Sequence, residues 1–267
     1  MPASQYVQRK SFDPYPPMAF DAAQTPMDWW LKARRLERFY GARLRSVAKI
    51  IGDMVKDGLH AGGEGAEALE DALARYSEVL KPWAKSVGLR MITEINAADK
   101  RAWMANASQM GEGIRFLVEK APVGNVMNQL LTDQVGLITS LPTDAAQRVH
   151  ELTLKGLSEG SRGGPVLDDI LRTGEVTRAR ATTIARTETA RTAAALTEAR
   201  ALHVGSTHYT WRTVGDADVR HDHRILNGKT FAWASPPVSD QRTGVRAHPG
   251  AIYNCRCIAI PQIPLEF

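Results

Sequence analysis

Four side chains in the last fifth of the sequence could converge on one metal ion: His223, His248, Cys255 and Cys257. Neutral imidazole and thiolate suit tetrahedral zinc, and a Cys2His2 set makes a closed, structural site. A module rich in Gly and Pro with little apolar material would gain folding free energy from such a staple. The cysteines are the only two in the chain and stand one residue apart. A disulfide between them would need strained geometry, and the Cys-x-Cys spacing departs from the commoner Cys-x-x-Cys of zinc sites. Two outcomes therefore stay open: metal ligands, or reduced thiols packed as small apolar groups with surface histidines nearby. His221 is a substitute ligand, although its i,i+2 relation to His223 disfavours both binding one ion.

A second constellation, Asp216, Arg220 and His223 with Gly228 after them, places Asp and Arg four residues apart, where they can pair bidentately and pin a turn. An enzyme would use His223 as general base with Asp216 orienting it. The sequence offers neither a nucleophile nor a substrate pocket to complete that set, so a salt-bridged turn is the expectation. A third cluster, from Ala185 through Arg186, Thr187, Glu188 and Thr189 to Arg191, reads as a helix with ion pairs: Glu188 faces Arg191, and Arg180 lies two turns earlier. Ion pairing does not explain why so polar a cluster precedes a strand bearing Trp211. Trp29, Trp30, Trp83 and Trp103 are expected as core or interface anchors. There is no Gly-rich phosphate loop, G-x-S-x-G elbow or H-E-x-x-H helix. No catalytic residue is assigned.

The elements that must position these groups are mostly helical. Leu36, Phe39, Tyr40, Leu44, Val47, Ile51, Met54 and Val55 recur at spacings of three and four, which predicts a helix over 28–58. Further helices are expected over 66–80, from Pro82 past Trp103, over 125–138, over 144–159 with Thr143 as its cap, and over 166–172. The clearest runs over 177–204, rich in Ala and Arg and closed by Gly205. Strands are expected over 207–213 and 257–260, the latter closed by Pro261. The fold class is mainly α with a small C-terminal α+β module, a multi-helix body followed by a short-stranded knot that a metal could staple. Three parts follow: an extended, proline-bearing arm (1–26), a helical domain (27–160), and a C-terminal module (161–267) made of the long helix and the small α+β part.

With 267 residues the chain can bury a sizeable core. No apolar run reaches the roughly 18 residues a membrane helix needs, and the N-terminus lacks the apolar region of a secretory signal, so synthesis in a cytoplasm is expected. The net charge is +5. Residues 1–175 carry 22 Lys/Arg against 22 Asp/Glu, whereas 176–267 carry 12 against 7, all of the 12 but Lys229 being arginines. A basic C-terminal third suits nucleic acid, an acidic protein partner, or simply a solvated face.

The order of these pieces carries more than any one of them. Ala185 to Thr189, Trp211, the run Asp216, Arg220, His223 and Gly228, then His248-Pro249-Gly250 and Asn254-Cys255-Arg256-Cys257, resemble in succession the phage Mu F-like family of minor head, or head morphogenesis, proteins. The resemblance spans roughly residues 130–260 and takes in Ile138 to Pro142 and Arg180-Ala181. It implies a minor capsid protein of a tailed bacteriophage, assembled in the bacterial cytoplasm, present in the virion and oligomeric there. It implies association with the portal protein and the major capsid protein, contact with packaged double-stranded DNA, and a structural zinc on His223, Cys255 and Cys257. His248 stands where relatives often have a proline-rich step. Some relatives carry a toxin or ADP-ribosyltransferase domain after the Cys-Arg-Cys motif; here Phe267 follows ten residues later, and a non-enzymatic role is expected. The competing expectation is a metal-dependent nuclease with His223 and His248 on the metal. An open coordination position would favour it, and four protein ligands would count against it. Residues 1–120 lie outside the motifs and are expected to offer a portal-binding or self-association surface.

Overall fold

The apolar stripe beginning at Leu36 does what its spacing requires. Tyr40, Leu44, Val47, Ile51 and Val55 are each at most 2% exposed, on one face of helix α1 (Pro26–His60). The computed structural model describes residues 26–60, 65–107, 111–158 and 164–263. Of the expected arm (1–26), residues 1–25 lie outside the described residues and Pro26 opens α1; the side chains of Trp29 and Trp30 also lie outside them.

After α1 come α2 (Gly65–Ala107), α3 (Glu112–Lys120), α4 (Gly124–Ser158), α5 (Gly164–Leu171) and α6 (Thr173–His203). Two expected breaks are absent. Pro82 lies inside α2 and Pro142 inside α4, so the helices expected to start at Pro82 and Asp144 are continuations of the ones before them. Proline removes one i to i−4 hydrogen bond, a cost of about 3 kcal/mol. Burial on both sides offsets it: Leu80 and Ala84 flank Pro82, and Leu141 and Ala145 flank Pro142, all in the core. Near the second proline, Ser77 of α2 donates its hydroxyl to the Thr139 carbonyl (2.8 Å). Thr143 bonds back to the Ser140 carbonyl (3.1 Å) and caps nothing.

Helix α6 packs chiefly on α1 and also on α4. The α1–α6 crossing is fixed by two glycines, because a Cβ on Gly174 would sit 2.9 Å from the Gly52 Cα, too close for any side chain. A Schellman arrangement ends α6: Gly205 adopts φ 81°, its N–H reaches Leu202, and the Ser206 N–H reaches Ala201 (2.9 Å).

The C-terminal part holds β1 (His208–Arg212), α7 (His221–Leu226), β2 (Thr230–Ala232), β3 (Val238–Asp240), β4 (Val245–Arg246) and β5 (Ile258–Gln262). One antiparallel sheet has the order β2-β1-β5, and β3 and β4 form a separate hairpin. Pro261 does not terminate β5 but pairs opposite Tyr209 within it. Because β5 is an edge strand, the missing N–H can face away from the ladder. The described residues form two cores. One is built from α1, α2, α4, α5 and α6. The second joins Trp103, Ala107, Ile114 and Val118 to Ala201, Val204, Tyr209, Trp211 and the cysteines. Helix α6 therefore runs from the first core into the second, and the end of α2 serves the second. Among the described residues no helix is long and apolar enough to cross a membrane.

Candidate metal centre

His223, Cys255 and Cys257 come together in the second core. All are buried, and one donor atom from each lies within 4.8 Å of the other two. The His223 Nδ1 stands 3.6 Å from the Cys255 sulfur and 3.4 Å from the Cys257 sulfur. Tetrahedral zinc with Zn–S of about 2.3 Å and Zn–N of about 2.0–2.1 Å spaces nitrogen and sulfur by roughly 3.6 Å, so the donors fit such an ion.

The surroundings favour the ligating forms. His223 is carried by α7, and its Nε2 lies 3.1 Å from the Ser239 carbonyl in β3. A carbonyl only accepts, so Nε2 carries the proton and the Nδ1 lone pair faces the sulfurs, the tautomer a metal needs. Asp222 accepts from the Gln241 N–H (2.9 Å), tying α7 to the β3–β4 hairpin. The Trp211 ring meets the imidazole edge-on at 5.3 Å. The Cys255 sulfur accepts from the Gly250 and Cys257 N–H groups (3.3 and 3.4 Å). Its hydrogen bond with Cys257 holds the Cys255 thiol well below the ordinary range. The neighbouring Cys255 sulfur and burial push Cys257 up. Without a metal the two sulfurs hold one proton tightly, and a cation is what allows both to be thiolates.

The fourth expected ligand is not there. His248 lies outside the donor cluster: its Nδ1 is 3.0 Å from the Tyr209 hydroxyl, and its Nε2 is 3.6 Å from Glu198. Its ring packs on Tyr209 and Trp233, and burial lowers its pKa. The reason is the turn at His248-Pro249-Gly250. Gly250 adopts φ 83° and packs so tightly on α6 that a Cβ would lie 3.2 Å from the Ala194 Cβ and 3.3 Å from the Ala190 carbonyl. That docking turns His248 toward β1. His221, the substitute, is exposed and lies 3.7 Å from Asp222.

The Asp216–Arg220 pair is also corrected. Asp216 holds Arg256 instead, through both oxygens (2.5 and 2.9 Å), with Asp218 at 3.7 Å. Positions i and i+4 face each other on a helix, and residues 216–219 form a turn and bends ahead of α7. Arg220 donates to the Tyr253 carbonyl (2.8 Å) and stacks on the Tyr253 ring at 4.3 Å. Arg256 sits between the cysteines, so Asp216 anchors the ligand loop itself. Gly228 adopts φ 79° and donates to the Trp211 carbonyl (2.8 Å), joining α7 to β2.

The polar cluster in α6 is a junction. Arg186 reaches Glu37 of α1 (3.4 Å). The Thr187 hydroxyl accepts from the N–H of Asn254, which adopts φ 53° just before Cys255 (3.0 Å). The buried Glu188 accepts from Gln134 of α4 (2.7 Å), whose own carbonyl accepts from the Tyr40 hydroxyl (2.6 Å). Burial raises the pKa of Glu188. Arg191 lies 3.9 Å from both Glu188 and Asp133, whereas Arg180 serves Asp144 (2.6 Å). Consecutive residues of one turn thus bind α1, the ligand loop and α4.

A cavity of about 470 Å³ opens beside the three donors and is lined by all of them. Arg34, Arg186, Arg220 and Arg256 line it, with Glu37, Asp216 and Asp218.

A mainly helical chain whose distant motifs meet at a buried His-Cys-Cys centre finds its counterpart among known proteins. Residues 147–260 match the model of the phage Mu protein F like family. This segment contains the polar turn of α6, the three donors, β1, β2 and all but the last two residues of β5. An uncharacterized protein of Haemophilus influenzae is 26% identical, with the match covering 86% of this chain and 54% of the relative. The chain therefore spans about half the length of the curated relative it matches. No solved structure matches it.

Proposed function

We propose that this protein is a minor capsid component of a tailed bacteriophage, acting in head morphogenesis without turnover. The supporting observation is that the motif residues of the matched segment tie the donor centre to the helical body and to the rest of the C-terminal module. Arg186, Thr187, Glu188, Asp216 and Gly228 each bind another element of the fold, and together they hold the His223, Cys255 and Cys257 centre in place. A zinc ion held by these three residues would cross-link α7 to the loop before β5 and supply folding free energy. The basic surplus of the C-terminal module would face packaged double-stranded DNA. The portal protein and the major capsid protein are the protein partners, the virion is the final location, assembly takes place in the host cytoplasm, and the protein is oligomeric in the particle.

The nuclease alternative required His223 and His248 on one metal, and His248 bonds instead to Tyr209. That two-histidine site is not formed, so the nuclease is not supported, and a coordination position that three ligands would leave open does not by itself make the centre catalytic. The division into an arm (1–26), a helical domain (27–160) and a module (161–267) is proposed as a division of labour, with residues 1–120 offering the portal-binding or self-association face. Because α1 is a main part of the first core and α2 contributes to both, deleting them would unfold the body. That proposal is better tested with charged substitutions of exposed apolar side chains, such as Val79 (75% exposed) and Phe116 (61%).

The deciding experiment compares particles made with and without the gene. The expected result is the protein among the virion components, and malformed or non-infectious heads in its absence. Particles of unchanged form and infectivity would dispose of the assembly role.

A further inference from the structure

We infer that the metal held by His223, Cys255 and Cys257 keeps its fourth position toward the arginine cleft, and that this position takes a phosphate oxyanion. The inference rests on reading those three residues as metal ligands, and it deepens the proposed DNA contact by naming where a phosphate would sit.

Three observations carry it. The donors number three, and the residue that could have closed the set, His248, is engaged with Tyr209 and Glu198. All three donor residues line the cavity of about 470 Å³ that Arg220 also lines. Arg220 has no acidic partner among the described residues: one nitrogen donates to the Tyr253 carbonyl, while its Nη1 is buried with no hydrogen-bond partner. Arg186 and Arg256, by contrast, face Glu37 and Asp216.

The chemistry then selects the ligand. A dication on two thiolates and a neutral imidazole is formally neutral, so an arriving anion must find its counter-charge elsewhere, and the cleft supplies guanidinium. Guanidinium forks match oxyanions with charge-assisted bonds. A carboxylate has two oxygens, which a metal and one fork exhaust. A phosphate has oxygens enough to reach the metal and Arg220 together and still face a second arginine. Inorganic phosphate, a terminal phosphate and a backbone phosphodiester share that chemistry.

Cobalt(II) replaces zinc in such sites and reports its ligands by absorption. The intact protein would be loaded with Co²⁺ and titrated separately with sodium phosphate and with a short duplex DNA at fixed ionic strength. The expected result is thiolate-to-cobalt charge transfer on loading, followed by a saturable change in the cobalt bands with phosphate. Arg220→Gln should leave the phosphate-free spectrum unchanged and weaken the titration by about tenfold or more, as the loss of a charge-assisted hydrogen bond predicts. A response to duplex DNA as well assigns the site to backbone phosphates, and a response to inorganic phosphate alone assigns it to small or terminal phosphates; either upholds the inference. Charge transfer with no response to either ligand overturns it while leaving the metal reading intact. A cobalt spectrum altered by His248→Ala overturns it too, by revealing a fourth protein ligand. Absence of charge transfer removes the metal reading, and the inference with it.

Discussion

The helical body and the C-terminal knot are held together by different physics. In the body, stability is spread over many interchangeable apolar side chains on α1, α2, α4 and α6. The knot has a smaller apolar core, centred on Tyr209, Trp211 and Trp233, and leans in addition on single contacts: three donors, Asp216 on Arg256, Asn254 on Thr187, and a glycine at Gly250. Diffuse cohesion tolerates change gradually, whereas a knot of single contacts fails at one residue. The two regions are joined by α6, which is why a turn as polar as Arg186 to Thr189 lies in a helix otherwise full of alanine.

The largest effect should follow metal removal. A strong chelator, or Cys255→Ser with Cys257→Ser, is expected to release the knot. Trp211 fluorescence and near-ultraviolet dichroism would change while far-ultraviolet helicity stays nearly constant, since the body does not use the metal. A parallel loss of helicity would show that the two regions are not separable. Next, Ile51→Ala in the body should cost about 2–5 kcal/mol in chemical denaturation, the range for truncating a buried aliphatic side chain. Metal content should not change. Smaller again, Gly250→Ala should cost about 1–3 kcal/mol, from strain at positive φ and the collision with α6. It should weaken metal affinity as well, because Gly250 donates to the Cys255 sulfur. Unchanged metal affinity would mean that the turn does not position the loop.

The smallest effect concerns pH. Asp99 of α2 accepts from Thr197 (2.7 Å) and pairs with Arg200 of α6, which also bonds Asn96. Burial outweighs these partners and pushes its carboxyl from the ordinary 3.8 up to about 6. Between those values the folded chain holds a proton that the unfolded chain has released. This group's contribution therefore makes the protein less stable as pH rises from about 4 to 6. Asp99→Asn should remove that part of the slope, whatever it does to overall stability. A wild type that gains stability over this window, with the gain lost in Asp99→Asn, would show that the pairing with Arg200 outweighs burial.

Much of the body was legible because a 3.6-residue apolar period survives in sequence: the stripe from Leu36 to Val55 and the helix closed by Gly205 stand as read. The helix breaks at Pro82 and Pro142 were misread because proline's local cost is visible in sequence and the flanking burial that offsets it is not. In the site, two cysteines and one histidine were recognisable from their chemistry. The partner of Asp216 is not legible, because the salt-bridged turn was expected to close on the nearby Arg220 and the residue that meets Asp216, Arg256, lies 40 positions further along the chain. His248 was placed on the metal by residue type alone, and what redirects it is the packing of Gly250 on Ala190 and Ala194. Gln134, Tyr40, Ser239 and Gly52 leave no local signal, since each matters only through a residue brought to it by the fold. Gly250 and Asn254, a glycine and an asparagine beside the cysteines, were the two positions where a left-handed backbone could have been suspected.

The reading of the knot proposed above has three residues, and not four, holding a metal. Metal content per chain should be measured in the wild type, His223→Ala, the Cys255→Ser/Cys257→Ser double variant and His248→Ala, all purified alike. The expected result is about one zinc per chain in the wild type and in His248→Ala, and essentially none in the other two, as zinc held by three protein ligands requires. Equal metal in all four, or its loss from His248→Ala, would contradict it.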